Sequence, residues 1–356
     1  MLGIDRRAAR YTWTAVLVLI FLCLVYLMRT TLFVFIVALL FGYLLSPLVD
    51  VIDRILPGKR TRTLALAIAY VIFVAVLFIG ITQIGSRAVE EANSLIKSMP
   101  DKLARFERPN DSLPASVNAF KAQIVQRVED QLSKSSSDII SSLPRAGARI
   151  LSVAGNLVYL VLVPILGFFF LKDGREMRQR LLELIDDDRR RALADDLLAD
   201  VNLLLAHYMR ALLILSLATF TSYSIFFTIL RVPYSILLAA LAATFEYIPT
   251  IGTVSAAVII VIVTAVSGGP VLGAIAFLVV YRLIQDYLLS PLLMRAGVQV
   301  DPLLVLFGIF AGAELAGVPG AFLSVPVLAL VRVIYRRVRQ QRMAAGKVPA
   351  VPDAPA

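Results

Sequence analysis

The sequence predicts an all-α polytopic membrane protein of about eight transmembrane helices, with two opposed broken or re-entrant helical hairpins and an extracytoplasmic amphipathic helical insertion. Composition indicates the class, because 59% of the 356 residues are hydrophobic and 17% are charged. In soluble domains about 45–50% of residues are apolar and about 25% are charged. The hairpins are predicted from two apolar stretches, 234–267 and 302–331, which each contain one glutamate followed by a proline and a glycine.

Six apolar runs are long enough, or nearly long enough, to cross a bilayer as complete helices. They cover residues 12–28, 31–52, 63–85, 147–171, 208–230 and 271–294. We divide the chain into N-terminal spans (1–85), an extracytoplasmic insertion (86–146), a further span (147–171), cytoplasmic amphipathic helices (172–206), a core that holds both hairpins (207–335), and a cytoplasmic tail (336–356). The tail is rich in proline and alanine near its end, and we expect it to be disordered.

Basic residues predict the orientation. Arg6, Arg7 and Arg10 precede the first apolar run, which has no small-residue cleavage site and is therefore interpreted as an uncleaved span. Further basic residues follow the second span and the second hairpin. By the positive-inside rule both termini are cytoplasmic. The net charge of +10 is explained by this topology, so no nucleic-acid partner is expected.

The insertion carries two amphipathic stripes. Apolar residues recur at helical spacing from Val89 to Phe106 and again from Leu113 to Leu132. Because two helices alone bury little apolar area, the stripes either pack only on each other or also contact copies from neighbouring subunits. We favour the subunit contact.

The first hairpin is predicted to turn within FEYIPTIG, at Glu246, Pro249 and Gly252. The halves of both hairpins hold roughly 14 to 17 residues, or about 21 to 26 Å of helix, which is shorter than the ~30 Å hydrocarbon core. Non-helical backbone at such a depth must be buried in protein or line a polar cavity. This hairpin is expected to open towards the outer side.

The second hairpin is predicted to turn within GAELAGVPG, at Glu314, Gly317, Pro319 and Gly320, and to open towards the cytoplasm. An acid inside a membrane span is costly and rare, so both glutamates are interpreted as buried functional groups. A surface turn whose glutamate reaches water is the structural alternative. Two such breaks of opposite sense favour the binding site of a transporter.

Six segments carry a family resemblance. They are LLSPLVD (44–50), FFFLKDGREMRQRLL (168–182), HYMRALLI (207–214), VPYSILLAALAATFEYIPTIG (232–252), QDYLLSPLLM (285–294) and VDPLLVLFGIFAGAELAGVPGAFLSVPVLALV (300–331). Over nearly its whole length the chain resembles the autoinducer-2 exporter family of bacterial permeases. This resemblance implies an inner-membrane exporter of a small solute with about eight spans, and a homo-oligomer for which a pentamer is one candidate.

The resemblance leaves the substrate open. Some members are linked to autoinducer-2 and others to exchange of sodium or lithium for protons. Relatives often carry a histidine where this chain has Asp301, so a proton-handling role for that histidine is not carried over.

The sixth complete span adds four polar or helix-bending candidates: Arg282, Gln285, Asp286 and Pro291. Arg282 and Asp286 lie four residues apart and so share a helix face. This charge pair either neutralises itself for insertion or lines a route past Gln285. Pro291 removes a backbone hydrogen bond and is expected to bend the helix towards the hairpins. With the hairpin residues, Gln285, Asp286 and Pro291 complete the candidate substrate- or ion-binding set.

The sequence contains no HExxH, GxSxG or phosphate-loop motif and no Cys/His cluster, so neither an enzyme nor a bound cofactor or metal is expected. Energy for transport would come from a proton or sodium gradient, or from the gradient of the solute. Neutralising buried carboxylates would make hairpin movement less costly. We therefore predict a permease, proton- or ion-coupled, with elevator-like alternating access. A Na⁺(Li⁺)/H⁺ antiporter is the alternative within transport, and a non-transporting membrane scaffold is the alternative of another class.

Overall fold

The computed structural model describes residues 6–56, 61–107, 116, 118–119, 121–123, 125–127, 154–248, 250–289, 292 and 301–344. Every element assigned within these residues is helical, as predicted. Five helices are long and apolar enough to cross a membrane: Arg29–Ile55, Arg62–Glu107, Asp188–Ile229, Val271–Leu289 and Leu303–Gln340. The all-helical membrane class is thus confirmed, whereas the number of eight spans stays a prediction.

The amino-terminal part consists of long, nearly continuous helical stretches. Its elements are α1 (Arg6–Leu27), α2 (Arg29–Ile55), α3 (Thr61–Ile79), a π-helical segment (Gly80–Gly85) and α4 (Ser86–Glu107). The π-helical segment joins α3 to α4 without a turn, so the third predicted span continues directly into the first helix of the insertion. One face of α2 packs on α3 through Val49, Leu66 and Ala69, which are buried together.

The carboxyl-terminal part contains both hairpins. Its elements are α5 (Ala154–Glu183), α6 (Asp188–Ile229), α7 (Ser235–Phe245), α8 (Ile251–Val266), α9 (Val271–Ile284), a π-helical segment (Gln285–Leu289) and α10 (Pro302–Ala344). A core cluster joins four of these helices, with Phe227 of α6, Leu238 of α7, Ile260 of α8 and Leu278 of α9 buried against one another. We call α7, α8 and the residues between them hairpin 1.

The helix α10 is itself a hairpin. Its backbone leaves the helical conformation at Ala316 (φ −144°, ψ 19°) and Gly317 (φ 64°, ψ −147°). A side chain placed on Gly312 would overlap the carbonyl oxygen of Gly320, and one on Gly320 would overlap that of Gly312. The arms before and after the break therefore lie antiparallel with their backbones in contact. We call this element hairpin 2.

The cytoplasmic stretch predicted at 172–206 is built from extensions of α5 and α6. The Asp187 carboxylate caps α6 by accepting hydrogen bonds from the backbone N–H groups of Arg189 and Arg190, at 2.8 and 3.0 Å. These bonds, led by that of Arg190, hold the pKa of Asp187 below its ordinary value. Arg178 of α5 pairs with Asp195 of α6 at 2.7 Å.

The predicted disordered tail is corrected for its first part, because α10 continues as a helix to Ala344. The guanidinium of Arg337 donates two hydrogen bonds to the Asp200 carboxylate, at 2.6 and 3.1 Å, and a third to Asp196 at 3.3 Å. These contacts tie the end of hairpin 2 to α6. Residues 345–356 lie outside the described residues.

The helix α4 packs on hairpin 1, a partner that the amphipathic stripe did not reveal. Leu103 is buried together with Val125 of the insertion and Val266 at the end of α8. The carboxylate of Glu91 accepts a hydrogen bond from the backbone N–H of Leu237, at 2.8 Å, in the first turn of α7. The two insertion segments thus contact each other, as one alternative held, and both contact the open end of hairpin 1. Subunit contact and a homo-oligomer stay predictions.

Candidate functional site

The turn of hairpin 1 is narrow and strained. The helix α7 ends at Phe245 and α8 begins at Ile251. Thr250 has a positive φ of 64°, which is uncommon for a residue with a side chain. A side chain on Gly252 would overlap the carbonyl oxygen of Phe245, so only glycine allows the second arm to begin this close to the first. Pro249 lies outside the described residues.

The carboxylate of Glu246 lies in a buried polar cluster at this turn. It is 7% exposed and accepts hydrogen bonds from the side-chain amide of Gln285 and, at 3.4 Å, from the hydroxyl of Thr219. The Thr219 hydroxyl lies 3.0 Å from that of Tyr281. We call Glu246, Gln285, Thr219 and Tyr281 the Glu246 cluster; its members come from hairpin 1, α6, α9 and the π-helical segment that follows α9.

No described Lys, Arg or His lies within ion-pair distance of the Glu246 carboxylate. Its donors are a neutral amide and a neutral hydroxyl, so a charged Glu246 would be buried with no cation in direct contact; the nearby Arg282 is already paired with Asp286. When Thr219 donates to Glu246, the Tyr281 hydroxyl must donate to Thr219. A protonated Glu246 would reverse both bonds. The cluster can therefore hold a proton or a small cation at Glu246.

Aromatic rings cover the cluster on one side. The Tyr223 ring lies edge-on to those of Phe227, Phe277 and Tyr281, with ring centroids 5.1 to 5.2 Å apart. Such edge-to-face packing fills the space between α6 and α9. These rings pack beside Tyr281, on one side of the cluster.

The charge pair predicted in the sixth span, between Arg282 of α9 and Asp286 of the following π-helical segment, is formed, but it is not deeply buried. Arg282 lies 2.8 Å from Asp286, and their side chains are 43% and 46% exposed. A second nitrogen of Arg282 donates to the hydroxyl of Thr253, at 3.1 Å, in the first turn of α8. The pair therefore fastens α9 to the second arm of hairpin 1, beside Gln285 and the cluster.

The residues predicted at the second turn occupy the tip of hairpin 2. Gly317 carries the positive φ that breaks the helix, and Pro319 stands at the start of the second arm, where a missing backbone N–H is tolerated. Gly320 is buried against Gly312. Gly317, Pro319 and Gly320 shape the turn and bring no polar side chain to the Glu246 cluster.

Glu314 corrects the expectation of two buried carboxylates. Its side chain is exposed, as are its neighbours Leu315 and Val318, and no hydrogen bond or ion pair joins it to another described residue. The reason is that no described helix covers the tip of hairpin 2, where residues 313–319 are all exposed. A single chain therefore provides one buried carboxylate at the hairpin turns.

The two turns lie at a similar depth along α6. The ion pair between Arg337 and Asp200 sets the antiparallel register of hairpin 2 and α6. Gly317 precedes Arg337 by 20 residues and Thr219 follows Asp200 by 19, so both lie roughly 30 Å from that pair. The ring of Tyr247, next to Glu246, contacts that of Phe322 in hairpin 2, with centroids 6.0 Å apart. The hairpins thus open towards opposite ends of α6 and meet beside Glu246.

Thr219 and Tyr281 are site residues that the sequence interpretation missed. Each is one of several polar residues in its helix, and only the pairing of α6 and α9 with hairpin 1 brings these two together. Pro291 lies outside the described residues. Among the described residues, no group of three or more Asp, Glu, His or Cys side chains could hold a metal ion.

Comparison with known proteins identifies the family. Residues 15–340 match the family model described as "AI-2E family transporter". The chain belongs to this family. The predicted resemblance is thereby confirmed over most of the sequence.

Several relatives carry transport names. The chain is 24% identical over 314 residues to "Putative transport protein YueF" of Bacillus subtilis, covering 86% of this chain and 84% of that protein. It is 28% identical over 306 residues to "Putative transport protein MT0215" of Mycobacterium tuberculosis, covering 82% of this chain and 78% of that protein. It is 25% identical over 283 residues to "Putative permease PerM" of Escherichia coli, covering 77% of this chain and 78% of that protein. The protein is therefore a multi-pass membrane protein of a transporter family.

Proposed function

We propose that this protein is a secondary transporter that exports a small solute such as autoinducer-2 and couples export to protons or a small cation at Glu246. The observation that carries the proposal is the burial of the Glu246 carboxylate, with no cation in direct contact, where two opposed hairpins meet. Ionisable groups inside membrane proteins mark ion pathways, and paired broken helices of opposite sense surround the binding sites of many transporters.

The proposed mechanism uses the difference in charge between the two states of the site. A proton or cation on Glu246 removes an uncompensated buried charge, so hairpin 1 moves at a lower energetic cost when the site is occupied. Hairpin 1 and α9 move together because Arg282 bonds to Thr253. The helices α2, α3 and α5 form the scaffold of an elevator-like step. In the proposed orientation both termini are cytoplasmic and the protein lies in a bacterial inner membrane.

A Na⁺(Li⁺)/H⁺ antiporter is the second candidate, and the same observation favours it. A carboxylate with amide and hydroxyl oxygens nearby suits a hard cation, so the cation itself would then be the transported species. A membrane scaffold is the candidate outside transport, with Glu246 as a purely structural group. Glu314 would contribute to a site only if a partner chain or a moved hairpin enclosed it.

The test is transport into inside-out vesicles that contain the full chain. We expect imposed pH or sodium gradients to drive uptake of autoinducer-2, or exchange of Na⁺ or Li⁺ for protons, and Glu246→Gln to abolish the gradient-dependent part. Glu176→Gln is the matched control, because Glu176 is exposed and pairs with Arg180 at 2.6 Å outside the hairpins. Full coupled transport by Glu246→Gln would refute the role of the carboxylate. Absence of all these activities in the wild type would favour the scaffold.

A further inference from the structure

A cavity of about 620 Å³ lies between α2, α3, α5 and α6, away from the hairpins. None of the Glu246 cluster residues lines it. Its volume falls within the roughly 300–1,000 Å³ of sites that hold small molecules. The cavity is therefore large enough for a ligand of its own.

The charged residues of the cavity wall lie towards one end of the helices, together with the apolar Met177, Leu181 and Leu198. Leu39 of α2, Phe170 of α5 and Leu205 of α6 line the part that lies among the membrane spans. Asp50 follows Leu39 by 11 residues on α2, about 16 Å further along the helix axis, and Arg178 follows Phe170 on α5 in the same direction. A ligand that fits both ends has an apolar body and a charged head.

Three arginines line the cavity, and they are not equally paired. Arg178 is bound to Asp195, whereas no described carboxylate lies within ion-pair distance of Arg62 or Arg175. Asp50 also lines the cavity, so two unpaired guanidinium groups face one carboxylate. The remaining charge of about +1 matches a singly charged anion. Guanidinium groups bind phosphate oxygens through paired hydrogen bonds, and Arg62 lies in the first turn of α3, where free N–H groups also favour an anion.

Neutral polar groups complete the wall between the two ends. Ser46 and Tyr43 of α2 and Asn202 of α6 line the cavity, and the Tyr43 hydroxyl donates to the Asn202 side chain at 2.8 Å. The Ser46 hydroxyl donates to the backbone carbonyl of Tyr43, at 3.0 Å, so the side-chain NH2 of Asn202 is the donor left for the ester oxygens that join a phosphate to acyl chains.

We propose that this cavity binds an anionic phospholipid, with its phosphodiester head at Arg62 and Arg175 and an acyl chain along the Leu39 end. Basic cavities between membrane helices bind such head groups. The single net charge favours a phosphodiester over a doubly charged phosphate monoester. The apolar end favours a lipid over a soluble phosphate. The inference is independent of which solute is transported.

The test is lipid retention by the purified full chain in native mass spectrometry, with the thermal unfolding midpoint as a second readout. Phosphatidylglycerol should be retained and raise the midpoint, whereas phosphatidylcholine with the same acyl chains, inorganic phosphate and glycerol 3-phosphate should not. The double substitution Arg62→Gln, Arg175→Gln should weaken phosphatidylglycerol binding roughly tenfold or more. The control Arg189→Gln, Arg190→Gln removes the same charge from exposed positions outside the cavity.

A second variant tests the proposal even if the double arginine substitution prevents folding. A Cβ atom on Gly174, which lines the cavity, would meet no atom within 4 Å, so the larger side chain of Gly174→Leu should extend into the cavity and reduce lipid retention. Gly80 is equally open but lies elsewhere, and Gly80→Leu is its control. Equal retention of both lipids, or retention by the cavity variants equal to that of their controls, would overturn the proposal. So would equal stabilisation by a soluble phosphate, which would assign the cavity to a phosphorylated solute.

Discussion

The ammonium of Lys102 lies 2.5 Å from the hydroxyl of Tyr234 and 4.5 Å from the centre of its ring. It also donates to the hydroxyl of Ser267, at 3.3 Å. Tyr234 precedes α7 and Ser267 follows α8, so one side chain of α4 holds both arms of hairpin 1 at their open end. The insertion thus restrains the element that carries Glu246.

Removing this contact should loosen the open end of hairpin 1. Lys102→Met keeps the aliphatic chain but loses the donors, and should lower stability by about 1 kcal/mol. Hydrogen exchange in peptides that contain residues 235–239 should accelerate. Lys97→Met, at an exposed position of the same helix, should leave exchange unchanged. If the two variants exchanged alike, α4 would not restrain the hairpin.

The hydroxyl of Thr219 should support the buried carboxylate. Thr219→Val keeps the shape but leaves Glu246 with one donor and Tyr281 without its partner, at a cost of about 1–3 kcal/mol. A lower thermal midpoint and slower coupled transport are expected. Thr228→Val, on the same helix, removes an exposed hydroxyl that bonds to the carbonyl of Ser224 and, at 3.4 Å, to the hydroxyl of Ser235, and should change both quantities less. Equal effects of the two substitutions would contradict a special role for Thr219.

The tight packing of hairpin 2 should make its glycines irreplaceable. Gly312→Ala or Gly320→Ala would place a methyl group on the facing carbonyl oxygen, and such overpacking costs about 1–3 kcal/mol. The thermal midpoint in detergent should fall. Gly80→Ala is the control, since a methyl group there meets no atom within 4 Å. A midpoint unchanged by Gly312→Ala would mean that the arms do not touch.

The opposed hairpins should respond oppositely to transport conditions. Single cysteines at Thr250 and Val318, in a Cys23→Ala background, lie at exposed positions of the two turns. If access alternates, a membrane-impermeant thiol reagent should label one site faster and the other more slowly when solute or coupling ion is added. Leu17→Cys, on the apolar surface of α1, should stay unlabelled. Labelling that ignores pH, sodium and solute would indicate static loops and weaken the transport mechanism.

The breaks in both hairpins could be predicted because their causes are local. Gly317 adopts a positive φ, and Gly252 allows a close approach to Phe245, and both requirements can be recognised from glycine, proline and a charge within an apolar run. The ion pair of Arg282 and Asp286 was also predictable, since four residues on a helix bring side chains together. The solvent exposure of this ion pair could not be predicted, because it depends on how neighbouring helices pack around the pair.

The partners of Glu246 could not be predicted in the same way. Thr219 is 27 residues away and Gln285 is 39 residues away along the chain, and no local pattern links them to the turn. Glu314 was predicted to be buried and is exposed. The reason is the same, since burial depends on which helices cover the tip of hairpin 2. The helical end of α10 was missed because its stabilising contact, from Arg337 to Asp200, is distant in sequence.

The sequence by itself determined that this chain is helical, apolar enough for a membrane, broken at two glutamate-containing turns, and a member of the AI-2E family. These properties depend on composition and on backbone hydrogen bonds between residues four apart, so they can be recognised in short segments. Only the tertiary structure decided that Glu246 is buried and Glu314 is not, that α4 holds hairpin 1, and that an arginine-lined cavity lies among α2, α3, α5 and α6. Those properties depend on which faces of distant helices meet, and many pairings of apolar faces bury similar areas.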